Sequence, residues 1–183
     1  MKLFIYLIIL IPNLIFSQKE EVKYWSKKDT LQFSDFRGKY IDDGFSATSV
    51  IALKVSNIGL LKDMITILPI FNFEKSTFFN VKSKYVLKHE QVHFDISELF
   101  TRKIRKELIE YYRRTYDINI NFSYKIYDDY LIKYHDFEKK YDFETKHGQI
   151  IEKQIEWNNK IKKELEKYKD YTSKKYLEYI DDL

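Results

Sequence analysis

The sequence contains no cysteine. That excludes disulfides, thiolate metal sites and cysteine nucleophiles, so any metal must be held by His, Asp or Glu. Stability must then come from core packing or from the metal itself. Only 4 glycines and 2 prolines occur in 183 residues, which leaves few sharp turns and favours long elements. An excess of one charge is also missing: the formal net charge is +4, too mild to point to nucleic acid. A spanning helix is lacking as well. The one long apolar run, Leu3–Phe16, is interrupted by Pro12 and falls short of the about 20 residues a bilayer crossing needs.

Hydrophobic residues make up 44% of the chain and charged residues 33%, a balance that supports a packed core in a single domain. Tyr (16) and Phe (14) supply much of the apolar bulk, so the core is expected to be built from large rings. The opening "MKLFIYLIILIPNLIFSQ" has one Lys, an apolar run and a small residue, Ser17, before Gln18. This order reads as a signal peptide over residues 1–17. No Cys stands at its boundary to carry a lipid. Its removal takes away only Lys2 and lowers the net charge from +4 to +3. The expected mature chain, residues 18–183, is exported to the periplasm or secreted and keeps no integral membrane segment.

Within it, residues 18–82 read mainly as strands and 83–183 mainly as helices. "SATSVIALKVS" and "MITILPIFNF" are β-branched and aromatic runs separated by a loop at Asn57–Gly59, with a short third strand expected at "STFFNV". Near Ser83 the apolar period becomes helical and continues to about Arg113 without Gly or Pro. A second helix is expected over about Tyr124–Lys140, with "YDFETKHG" as its interruption, and a third from about Thr145 to Tyr171 or beyond. The expected class is α+β: a small antiparallel sheet followed by three helices, the first packed on the sheet.

The first helix carries "KHEQVHFD". At about 100° per residue, His89 and His93 stand about 40° apart, one turn above the other, so both imidazoles can reach one metal ion. Zinc is the usual occupant of such His/carboxylate sets. Glu90, about 100° round from His89, is suited to take a proton from water activated by the metal, the logic of H-E-x-x-H zinc peptidases. Val86, Ile96, Phe100 and Ile104 share the histidines' side, which is therefore expected to face inward. Gln91, Glu98, Arg102 and Arg105 fall on the other side, and Asp95 turns away from both histidines.

A catalytic zinc usually takes three protein ligands and keeps one open position. Leu99 stands where an extended H-E-x-x-H-x-x-G-x-x-H pattern would put a third histidine, so the ligand must come from downstream. His135, Asp142, Glu144, His147, Glu152 and Glu156 are the candidates. His147, read as opening the third helix on its buried-leaning side, is preferred, with Glu144 second. His135, among Lys133, Asp136, Glu138 and Lys139, is expected at the surface. Tyr141 is a candidate oxyanion donor, and Asp142 a carboxylate that orients a ligand histidine.

"KHEQVHFD" followed by "YDFETKHG" and "QIEWNNKI", with "LQFSDFRGK" and "SATSVIAL" upstream, resembles the bacterial domain-of-unknown-function family nine-two-two of predicted secreted zinc-dependent proteases. Phe33 stands where that family often has a Trp. The resemblance spans residues 24–165. It implies a zincin-like metallopeptidase acting on a peptide or protein substrate, with His89, His93 and His147 as Zn2+ ligands and Glu90 as general base. The rival expectation is a non-catalytic secreted or envelope-associated binding protein with a structural or vestigial zinc site. Its partner surfaces would be the basic "TRKIRKELIEYYRR" and the Lys/Glu-rich C-terminal helix.

Overall fold

A computed structural model describes residues 21–40, 44, 46–58, 64–79 and 83–182. The expected signal peptide lies outside the described residues. The fold is α+β, with a small antiparallel sheet and four helices.

Strand β3 (Ile51–Ile58) pairs antiparallel with β4 (Met64–Asn72), from Ile51 opposite Phe71 to Ile58 opposite Met64. On the other side of β4 runs β1 (Val22–Tyr24), so the order is β1-β4-β3. Central β4 is nearly continuous in burial: Met64, Ile65, Ile67 and Phe71 are fully covered. Pro69 is tolerated in this central strand because its nitrogen faces the β1 side just where β1 ends. Trp25 N, just past the end of β1, donates to the Pro69 carbonyl at 3.3 Å, and the one bond forgone is the return donation to Trp25, beyond the last ladder pair Tyr24–Ile70. The expected third strand forms as β5 (Thr77–Phe78), but it pairs with β2 (Ala47–Thr48) in a separate two-stranded ribbon.

Helix α1 (Lys84–Thr115) starts where Ser83 Oγ caps Val86 N at 3.4 Å. It is the axis of the molecule, with β3 and β4 against one side and α2 (Ile120–Thr145), α3 (Ile151–Lys167) and α4 (Ser173–Asp181) against others. The side expected to face solvent is therefore covered: Glu98, Arg102 and Arg105 are buried. Their charges are met internally, Glu98 accepting from Arg102 Nε at 2.7 Å. Arg105 Nη2 donates to the Ile67 carbonyl at 2.7 Å, and Arg102 Nη1 to that of Leu165 at 2.8 Å. The latter is an unpaired carbonyl of the last turn of α3, where a cation is favoured.

The helix boundaries also differ from expectation. The stretch "YDFETKHG" does not interrupt α2, which runs on through Thr145. His147 does not open α3: Lys146, His147 and Gly148 all have positive φ, at 52° for His147, and the helix resumes at Ile151. Helical angles counted from His147 along α3 therefore do not apply. The expected third helix is two, because a single 3-10 turn at Lys169–Tyr171 separates α3 from α4. Tyr176 of α4 then donates its hydroxyl to the Ile65 carbonyl at 2.8 Å, tying the C-terminal end to the sheet.

Candidate metal centre

α1 brings His89 and His93 to the middle of the fold, α2 runs back alongside, and α3 closes over them. Three ligand atoms converge. His93 Nε2 lies 3.1 Å from His89 Nε2, and Asp142 Oδ1 lies 3.1 Å from the first nitrogen and 3.3 Å from the second. His89, His93 and Asp142 thus form a group able to hold a metal ion. Two members belong to the H-E-x-x-H stretch, but the third comes from α2, so this group is not that motif alone.

Each imidazole is held from behind through Nδ1. His93 Nδ1 meets Glu138 Oε2 at 2.6 Å, while His89 Nδ1 meets Gln154 Oε1 at 2.9 Å. The Gln154 amide is oriented by donating from Nε2 to Asn158 Oδ1 at 2.8 Å, which leaves its oxygen for His89. Both imidazoles therefore spend their Nδ1 protons on supporting groups, and both Nε2 atoms face the centre as lone pairs. Facing them is Asp142 Oδ1, a buried oxygen with no hydrogen-bond donor. Three electron-rich atoms this close need a cation or a proton among them.

The electrostatics agree. Burial opposes charging of His93, yet Glu138 and Asp142 outweigh it and raise its pKa well above the ordinary value. Burial also opposes ionisation of Asp142, but the two imidazoles hold its carboxyl well below the ordinary range. Both directions favour positive charge between these atoms.

The remaining sequence candidates sort by position. Glu90 is buried and lines the same cleft as the three ligands. His147 lines that cleft too, half exposed, its Nδ1 3.6 Å from Asp142 Oδ1. His135 is on the cleft rim and exposed. Glu144 points elsewhere, accepting from Trp157 Nε1 at 2.8 Å. Glu152 and Glu156 are exposed on α3. Tyr141 is fully buried behind His89, its ring stacked on that imidazole at 4.7 Å. Its hydroxyl accepts from Gln154 Nε2 at 2.7 Å and lies 3.3 Å from the His89 carbonyl. Asp95, turned from the histidines as expected, accepts from Trp25 Nε1 and Gln91 Nε2, both at 2.8 Å.

The sharp turn after α2 serves this packing. At Gly148, where φ is +79°, a Cβ would stand 3.0 Å from His89 Cγ, so only glycine lets the chain pass over the ring. Sequence reasoning missed Glu138 and Gln154. The available signal was the spacing of Glu138 and Asp142, four apart and hence on one face of a helix, hidden by ending α2 too early.

The cleft encloses about 550 Å³. Among the described residues five buried side-chain atoms lack a hydrogen-bond partner, and four of them line it: Ser49 Oγ, Tyr85 Oη, Glu138 Oε1 and Asp142 Oδ1. Concentrated unmet hydrogen bonding of this kind marks a place built for a polar ligand. β2 forms one wall. Phe79 N donates to Ser46 O at 2.8 Å, and Ala47 pairs opposite Phe78. Ser46 and Thr48 therefore turn their backbone groups to β5, while those of Ala47 point to the edge away from it, which pairs with no strand among the described residues. Comparison with protein-family models, with curated proteins and with solved structures finds no match.

Proposed function

We propose that this protein is an exported zinc-dependent metallopeptidase, zincin-like in its organisation. The observation that carries this reading is the ligand triangle. Donor atoms about 2.0–2.1 Å from zinc stand about 3.3–3.4 Å apart at tetrahedral angles, and those of His89, His93 and Asp142 are 3.1–3.3 Å apart. Two imidazoles and one carboxylate suit zinc and leave a fourth position towards the cleft. The orphaned Asp142 Oδ1 fits a cation in that place. His147, beside Asp142, belongs to the same site and is the sequence-preferred alternative ligand.

Zinc, when bound, supplies a Lewis acid that polarises a carbonyl and lowers the pKa of water. The chain's own residues account for the rest. Glu138 and Gln154 keep both Nε2 lone pairs aimed inward. Glu90, adjacent to His89 and lining the cleft, accepts a proton from water as its oxygen adds to the peptide carbonyl carbon. It then returns that proton to the departing amine as the C–N bond breaks. The edge of β2 away from β5, unpaired among the described residues, supports an extended peptide by strand addition, and the Ser49 and Tyr85 hydroxyls, without partners there, are available to its polar groups.

The test is metal analysis of the purified mature chain together with Glu90→Gln. Stoichiometric zinc in both proteins, with casein hydrolysis only in the parent, is the expected result. No metal at micromolar zinc, or undiminished hydrolysis by Glu90→Gln, overturns the reading.

A further inference from the structure

Behind the metal-binding helix is a second cavity, of about 820 Å³, between α1, α3 and the segment from Trp25 to Thr30. Its walls share α1 with the metal centre but use the other face: Lys88, Gln91, Val92 and Asp95 rather than His89, Glu90 and His93. The charge on it is one-sided. Lys27, Lys88, Lys162, Lys163 and Lys167 stand around it with Arg102, against only Asp95 and Glu166.

The carboxylates are already engaged. Asp95 is hydrogen-bonded by Trp25 and Gln91, and Glu166 pairs with Lys169 at 3.3 Å. Arg102 is spent on Glu98. By contrast Lys27, Lys88, Lys162 and Lys163 are exposed and form no ion pair with any described residue. Like charges converging on one groove without counter-charges raise the local potential and attract an anion. Between them the surface is neither bare hydrocarbon nor fully polar. Trp25, Val92 and Leu165 offer apolar area, and Gln91, Asn158 and Asn159 offer side-chain amides.

The geometry points to a docking groove for an acidic peptide segment. Lysines on both rims pair with its Asp or Glu side chains, the amides meet its main-chain groups, and the Trp25–Val92–Leu165 strip takes its apolar side chains. An acyl chain fits less well, because polar Gln91, Asp95 and both asparagines interrupt the floor. The groove is independent of the peptidase reading.

The experiment titrates the full mature protein with a short synthetic peptide alternating Glu and Leu, following tryptophan fluorescence. Trp25 is on the groove wall, while Trp157 is buried. The expected result is a saturable change with a Kd in the range of about 1–100 μM. The affinity should weaken as salt rises and fall at least about tenfold in Lys162→Glu/Lys163→Glu and in Lys88→Glu. These side chains are exposed, so the variants should fold and keep their metal. The proposal is overturned by no saturation up to about 1 mM. Equal binding of an uncharged control peptide alternating Gln and Leu, indifference to charge reversal, or preference for anionic phospholipid vesicles over the peptide overturns it equally.

Discussion

His89 and His93 sit one turn apart on the same helix and offer the same nitrogen to the same centre, yet they are held by chemically different partners. Behind His93 is a carboxylate, Glu138, at 2.6 Å; behind His89 is a neutral amide, Gln154, at 2.9 Å. A carboxylate stabilises the imidazolium and makes the ring more basic, whereas an amide fixes the tautomer and adds little charge. The pair is therefore unequal by construction. His93 is backed by a carboxylate that favours its protonated form, and His89 is fixed in orientation between Tyr141, Gly148 and Gln154.

The largest effect should come from removing what both share. Asp142→Ala deletes the one carboxylate of the candidate ligand group among the described residues and leaves the two imidazole nitrogens alone. Metal affinity, measured by chelator competition, should fall by more than the about 10–100-fold typical of supporting residues. An unchanged affinity would give the third ligand position to His147.

Glu138→Gln should come next, with a loss of about 10–100-fold at alkaline pH and a change in pH profile that Gln154 variants lack. The sign follows from His93, whose folded pKa is raised above its unfolded value. In the metal-free protein that proton contributes stability fully present below about pH 6.5 and lost as pH rises through the raised pKa. A metal must displace it, so apparent affinity in the parent should climb with pH by up to about tenfold per unit until the His93 pKa is passed. The rise in melting temperature on adding zinc should grow over the same range. Without the Glu138 charge the proton is held less tightly, and the climb should end at lower pH. Identical profiles in parent and Glu138→Gln would make the two histidines equivalent and sink the comparison.

The histidine pair and its inward face were legible because helical periodicity from Lys84 onward is unbroken by Gly or Pro. So were the β3–β4 pairing, from two β-branched runs, and the helix start at Ser83. The supporting residues were not. Tyr141–Gly148 holds Asp, Glu, Lys, His and Gly, a composition that reads as a turn, yet its first five residues are the end of α2. Cutting the helix there hid the alignment of Glu138 with Asp142. Strand β1 is only three residues long, too short for alternation to register. Glu98, Arg102 and Arg105 read as solvent-facing because they lie opposite the apolar stripe of α1. Only tertiary structure, with carbonyls of β4, α3 and the following turn available to the two arginines, makes their burial affordable.

On the neutral side the effects should be smaller and different in kind. Gln154→Ala leaves His89 Nδ1 without a partner and the buried Tyr141 hydroxyl with only the His89 carbonyl at 3.3 Å, so it should cost about 1–3 kcal/mol in urea unfolding of the metal-free protein. Affinity should fall about tenfold with no shift of the pH profile.

Asn158→Ala is the mildest test and isolates orientation from contact. Asn158 touches neither histidine; it accepts from Gln154 Nε2 at 2.8 Å and so decides which end of that amide faces His89. Without it Gln154 can turn its NH2 to His89, and the imidazole must then move its proton to Nε2, the atom needed by the metal. The loss should be about 0.5–1.5 kcal/mol, and it should appear as weaker metal binding with little change in metal-free stability. A reversed pattern, with stability lost and affinity kept, would mean that Asn158 only packs, and that Gln154 holds its orientation through Tyr141 alone.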